Sequence, residues 1–75
     1  MELFYYPECP YCHKVRQYLA EHNIELPLLN AHEPENAQRL RELGGKIQVP
    51  ALLYEDGAVM YESDDIIAFL ESGDE

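Results

Sequence analysis

Apolar spacings that alternate between strand and helix periods predict an α/β fold for the 75-residue chain, βαβαββα in order, with a four-stranded mixed sheet flanked by helices. Three observations carry this expectation. A β-prone N-terminal run gives way to helical spacing across a proline. The same strand-to-helix change recurs after residue 24. Finally, an Asp-Gly turn joins two short apolar runs ahead of a last helical stretch.

The first element is ELFYY, residues 2–6, which stops at Pro7. In YCHKVRQYLAEH the apolar positions Cys12, Val15 and Leu19 fall on one helix face, so both cysteines lie at a strand-to-helix junction. IELPLLN, residues 24–30, reads as a second strand. Pro27 has no N–H, which places it at a sheet edge or where no ladder donor is needed. A second helix starts near Pro34, turns Leu40 and Leu43 inward and ends at Gly44 and Gly45. PALLYEDGAVMYE supplies two antiparallel strands joined at Asp56-Gly57, where both central positions of a tight turn tolerate positive φ. SDDIIAFLE closes the chain as a helix, with Ser63 as N-cap, Asp64 and Asp65 at the positive end of the dipole, and Ile66, Ile67 and Leu70 inward. The SGDE tail is expected to fray.

A chain of this length makes one domain, residues 1–75, with no repeat or linker, and buries about 60% of the surface its unfolded form exposes. An apolar content of 47% with 27% charged residues is that of a globular protein rather than a disordered one. Runs such as LFYY and VPALLY are far shorter than the roughly 18 residues a membrane helix needs, and MELFYY has no basic region of a signal peptide. The expectation is a soluble, unprocessed, cytoplasmic chain. The net charge is −10, and no Lys or Arg follows Lys46, which argues against nucleic acid and anionic membranes as partners. The acidity suits most plainly an ordinary cytoplasmic protein, and also one adapted to high salt.

PECPYCHK, residues 7–14, holds both cysteines, so they cannot staple distant parts of the chain as in a secreted scaffold. C-x-x-C serves thiol–disulfide exchange, metal ligation or, with His13, haem attachment. Haem attachment requires export, and helical cytochromes do not follow a βαβαββα pattern. A zinc site would need two of His13, His22 and His32, whose spacing matches no zinc finger. No metal site is expected, and the histidines read as exposed polar residues. For redox chemistry a thiolate must be stabilised, since a free cysteine, pKa about 8.5, is mostly protonated at neutral pH. Cys9 lies where unpaired N–H groups and the dipole of the first helix meet it, with Pro10 at a position where a missing donor costs little. Cys9 is therefore the expected nucleophile and Cys12, one turn on and more buried, the resolving thiol. Lys14 and Arg16 favour the anion, whereas Glu8 opposes it.

With CPYC in the strand-to-helix turn, QVP about forty residues later and an acidic helix start near the end, the chain resembles a dithiol glutaredoxin over its whole length. The resemblance implies the thioredoxin fold and reduction of protein disulfides or glutathione mixed disulfides, with glutathione as electron donor and no permanently bound cofactor. It also implies a monomer, a cis bond before Pro50, and a backbone at Val49 that faces the substrate sulfur. Where many glutaredoxins have a Gly-Gly pair, this chain has Tyr61-Glu62, and its Glu62-Ser63 resembles the Glu-Ser of glutathione transferase N-terminal domains. By that likeness the start of the last helix holds the γ-glutamyl end of glutathione. Backbone N–H groups and the Ser63 hydroxyl would meet the carboxylate, and Glu62, Asp64 or Asp65 the ammonium. Lys46, two positions before Gln48, or Arg41 would meet the glycine carboxylate, and Tyr11 would line the groove. The same resemblance leaves room for reduction by thioredoxin reductase or another small thiol. It also leaves room for an iron–sulfur cluster ligated by Cys9 and glutathione, which Pro10 disfavours. A glutathione transferase is disfavoured because the chain ends at Glu75 without a helical second domain.

Overall fold

A computed structural model describes residues 1–73. Its elements are β1 (Glu2–Tyr5), α1 (Pro10–Glu21), β2 (Leu28–Asn30), α2 (Pro34–Gly44), β3 (Ala51–Leu53), β4 (Val59–Met60) and α3 (Ser63–Gly73). The four strands form one mixed sheet in the order β2-β1-β3-β4, with β1 and β2 parallel and the other two pairs antiparallel. This is the expected α/β architecture of the thioredoxin fold.

Adjacent residues of a strand point to opposite faces, and β1 and β3 use this to build two cores. Leu3 and Leu52 join Val15 and Leu19 of α1 and Ile66 and Leu70 of α3 on one face. Phe4, Ala51 and Leu53 meet Leu40 of α2 on the other. Helices therefore cover both faces, and β3, buried at every position, reads as an uninterrupted apolar run.

Several boundaries differ from the sequence expectation, each for a local reason. β2 is an edge strand that begins only at Leu28, so Pro27 precedes it, where no ladder donor is needed. The Pro27 carbonyl accepts the Leu3 N–H at 2.9 Å, while Ile24 and Leu26 pack against the α1–α3 core instead of extending the ladder. The β3–β4 connection is not a two-residue turn. Tyr54 N–H donates to Ala58 O at 2.8 Å and Gly57 N–H to Tyr54 O at 3.1 Å, and Gly57 has φ of 92°. Asp56 keeps negative φ and uses its carboxylate to accept the Ala58 N–H at 3.0 Å. The result is a three-residue loop with its glycine in the left-handed region.

Leu43 is 41% exposed rather than inward, because α2 buries only Leu40 and Leu43 falls in its last turn. Helix α3 starts one residue early: the Glu62 carbonyl accepts the Ile66 N–H at 2.9 Å, so Glu62 holds the cap position and Ser63 lies in the first turn. Ser72 and Gly73 of the expected frayed tail belong to α3, and Asp74 and Glu75 lie outside the described residues.

Gly44 permits a close approach that the sequence did not announce. A Cβ there would lie 1.8 Å from the Tyr61 hydroxyl and 2.7 Å from its ring carbon Cζ. The hydroxyl donates to the Lys46 carbonyl at 2.9 Å, and the Lys46 ammonium lies 4.6 Å from the centre of the same ring. Tyr61 thus ties the segment before Pro50 to the strand that leads into α3. Gly44→Ala is expected to destabilise the protein, because displacing Tyr61 outweighs the gain of about 1 kcal/mol in helix propensity. In a Tyr61→Ala background the same substitution should become stabilising, and urea unfolding of the four proteins reads the change of sign.

Candidate active site

The strand register gathers the chemistry-bearing segments at one edge of the sheet. β1 runs out of the sheet into Cys9, and parallel β2 leaves at the same edge toward His32. β3 runs the opposite way, so it enters there: Phe4 pairs with Ala51, which puts Tyr5 level with Pro50. β4 pairs Met60 with Leu52, so Tyr61 and Glu62 leave level with Ala51 and Pro50. The Cys9 loop is therefore flanked by the Val49-Pro50 segment and the start of α3 on one side, and by the β2–α2 connection on the other.

Cys9 is the N-cap of α1. Its backbone is extended, Pro10 occupies the first helical position, and the Cys12 N–H donates to Cys9 Sγ at 3.3 Å. Here a sulfur takes the place of the usual capping oxygen and faces the unpaired amides of the first turn. Cys9 is partly exposed, whereas Cys12 has no exposed surface and packs in line with Val15 and Leu19. Burial, and then a hydrogen bond to the Cys9 sulfur, push the Cys12 thiol up to about 12, so it keeps its proton at neutral pH. Both cysteines are free thiols.

The remaining expected site residues fall as follows. The Val49–Pro50 peptide bond is cis; Pro50 is buried, Val49 half-buried and Gln48 exposed. Tyr11 projects from the helix start with 64% of its surface exposed. Ser63 is half-buried, and Glu62 and Asp64 are exposed. Asp64 is engaged by Lys14 of α1 at 2.8 Å, an ion pair that links the thiol helix to the start of α3. Lys14 is thus bound to a carboxylate, and Arg16 lies 4.8 Å from the centre of the Tyr5 ring. Lys46 is turned onto Tyr61.

Two residues here carry no functional signal in the sequence. Tyr61 stands where many glutaredoxins have glycine. His32, expected as an exposed polar residue, binds Glu8: its Nε2 lies 2.6 and 2.9 Å from the two carboxylate oxygens. Its ring stacks on Tyr6 with centroids 4.1 Å apart. The backbone N–H of Glu8 and then the His32 ring hold the Glu8 carboxyl below the ordinary carboxylate range. No spacing signal joins positions 8 and 32; the parallel pairing of β1 and β2 brings them together.

A cavity of about 620 Å³ lies at the opposite edge of the sheet, against Met1, Tyr54 and Phe69, away from both thiols. Among the described residues no three of His, Cys, Asp and Glu converge in a metal-binding group, and no helix is long and apolar enough to cross a membrane.

The domain family described as glutathione S-transferase, N-terminal domain, matches residues 3–75. Glutaredoxin 2 of Escherichia coli strain K12 is 37% identical over 76 residues, covering 99% of this chain and 34% of that protein. Glutaredoxin 2 of Escherichia coli O157:H7 gives the same figures. The chain thus spans about a third of the length of the curated relatives it matches. The Glu62-Ser63 pair that departs from the commoner glutaredoxin pattern accords with this match. With the family matched from Leu3 to the last residue and the thioredoxin fold in place, the chain belongs to the glutathione S-transferase N-terminal domain family, as a glutaredoxin-like member.

Proposed function

We propose that residues 1–75 act as one domain, a glutathione-dependent thiol–disulfide oxidoreductase that reduces protein disulfides and glutathione mixed disulfides. The observation that carries this reading is the asymmetry of the two thiols: Cys9 is accessible and faces helix amides, while Cys12 is buried and protonated.

The Cys9 thiolate attacks the glutathione sulfur of a mixed disulfide. A Cys9–glutathione disulfide forms, and the substrate S–S bond breaks with its electron pair on the leaving thiol, which takes a proton from water. A second glutathione, as thiolate, attacks that adduct, leaving glutathione disulfide and restoring Cys9. With a protein disulfide as substrate, Cys12 loses its proton and displaces the target thiol, and two glutathiones then reduce the Cys9–Cys12 disulfide.

Glutathione lies along the Val49-Pro50 flank in this reading. Val49 presents backbone to it beside Gln48, Lys46 meets the glycine carboxylate, and Tyr11 covers the groove. The amides at the start of α3, with Ser63 and Glu62, take the γ-glutamyl end. At Asp64 the glutathione ammonium competes with Lys14, already bound at 2.8 Å. The domain works as a monomer in the cytoplasm and holds no permanent cofactor.

Reduction of a glutathione mixed disulfide, followed by mass spectrometry of the adduct, tests the roles. Cys9→Ser should abolish turnover, and Cys12→Ser should retain it while trapping one glutathione. A dead Cys12→Ser beside an active Cys9→Ser would reverse the assignment. Replacing glutathione by thioredoxin reductase and its nicotinamide donor should give no turnover.

The protonated Cys12 also predicts a pH dependence. An unfolded cysteine titrates near 8.5, and the folded value is about 12. The folded state holds the proton more tightly, so this stabilisation is complete below about pH 8.5 and is lost as pH rises toward 12. Urea unfolding of the reduced protein between pH 8 and 10.5 should show declining stability, with a shallower decline for Cys12→Ala.

A further inference from the structure

The flank of the Cys9 loop opposite the Val49-Pro50 segment carries a built polar cluster that the proposed reaction has not used. Glu8, directly before the nucleophile, is held by His32 through both carboxylate oxygens. The His32 backbone N–H donates to the Asn30 side-chain oxygen at 2.9 Å, and its ring stacks on Tyr6. His32 is thus fixed from the end of β2 and from the loop after β1. The groups on or beside it are Tyr6, Glu8, Asn30 and Glu33, the last occupied by the Asn36 amide at 2.9 Å.

If glutathione occupies the Val49-Pro50 flank, the other half of a mixed disulfide leaves past the Glu8 side. An unpaired Glu8 there would repel an anionic leaving thiol, in a protein whose net charge is already −10. The His32 ring, bound to both carboxylate oxygens, offsets that field locally. We propose that His32 and Glu8 form a specificity site for the leaving half of glutathione mixed disulfides, with His32 allowing anionic thiols to depart past an acidic residue. The inference rests on the proposed reaction, in which Cys9 attacks the glutathione sulfur and the electron pair of the broken S–S bond departs on the other thiol. His32 is a positioning and charge-compensating residue and does not touch the reacting atoms.

Three mixed disulfides of glutathione isolate the effect, with cysteamine, mercaptoethanol and mercaptopropionate as cationic, neutral and anionic leaving thiols. Because the glutathione half is constant, the ratio of kcat/KM for the anionic and cationic substrates cancels changes in folding or in Cys9 reactivity. His32→Gln should lower this ratio about three- to fivefold, the scale of one exposed charge acting through water. Glu8→Gln should raise it by a similar factor. The double variant should return near the wild-type ratio, and 0.5 M salt should shrink every difference. Normal turnover with an unchanged ratio in His32→Gln would overturn the inference and leave the proposed function standing. Absence of turnover on all three substrates, or turnover surviving Cys9→Ser, would overturn both.

Discussion

The structure depends on β1 being paired on both edges and buried on both faces. Leu3 and Phe4 point in opposite directions into separate cores, and neither has exposed surface. Ladders on either side, parallel to β2 and antiparallel to β3, fix the strand in register. Slipping β1 by one residue would exchange the two side chains between cores packed by different helices. This fixed strand delivers Cys9 to the head of α1 with little freedom. The helix start must lie beside the ends of β2, β3 and β4, and Val15 and Leu19 on the same helix anchor it to the sheet that β1 centres.

Electrostatics at the thiol edge are governed by scarcity, since five basic residues face fifteen acidic ones. Lys14 binds Asp64, Arg16 lies on the Tyr5 ring and Lys46 on the Tyr61 ring, while Arg39 binds Glu2 at the far end of β1. An anionic ligand that meets Lys14, Arg16 or Lys46 therefore has to draw the cation from an existing partner. Such exchange is cheap where the pairs are exposed, because surface ion pairs contribute about 0–1 kcal/mol. The edge can thus hold its charges in place when empty and release them to a ligand at little cost.

What could be read from the sequence follows the range of the interactions involved. The helix-opening Cys9 and the buried Cys12 came from spacing within one element, where a residue's neighbours are its own chain. The order of elements came from the alternation of strand and helix periods along the chain, and the cis bond before Pro50 from a resemblance that extends over its whole length. Leu43 was misplaced because helical spacing gives the same direction to Leu40 and Leu43, without saying where the sheet beneath them stops. The Asp56-Gly57 turn was misread because Asp56 satisfies the Ala58 N–H with its side chain and has no need of positive φ. His32 with Glu8, and Gly44 with Tyr61, join residues 24 and 17 positions apart. Only the assembled sheet puts these pairs within reach, so no local pattern could have disclosed them.

The difference between the two thiols also orders the routes open to the proposed enzyme. Cys12, pushed up to about 12 by burial and the Cys9 sulfur, keeps its proton at pH 7. Once Cys9 is bound in a mixed disulfide its contribution to that shift falls away, but burial, the larger cause, remains. Attack by Cys12 therefore requires it to shed a proton inside a core shared with Val15 and Leu19. A glutathione arriving from solution brings a thiol that titrates in water and meets a sulfur at the open end of the helix. The geometry thus favours resolution by a second glutathione over internal disulfide formation. Glutathionylated substrates follow from it more directly than protein disulfides, for which the buried thiol must act.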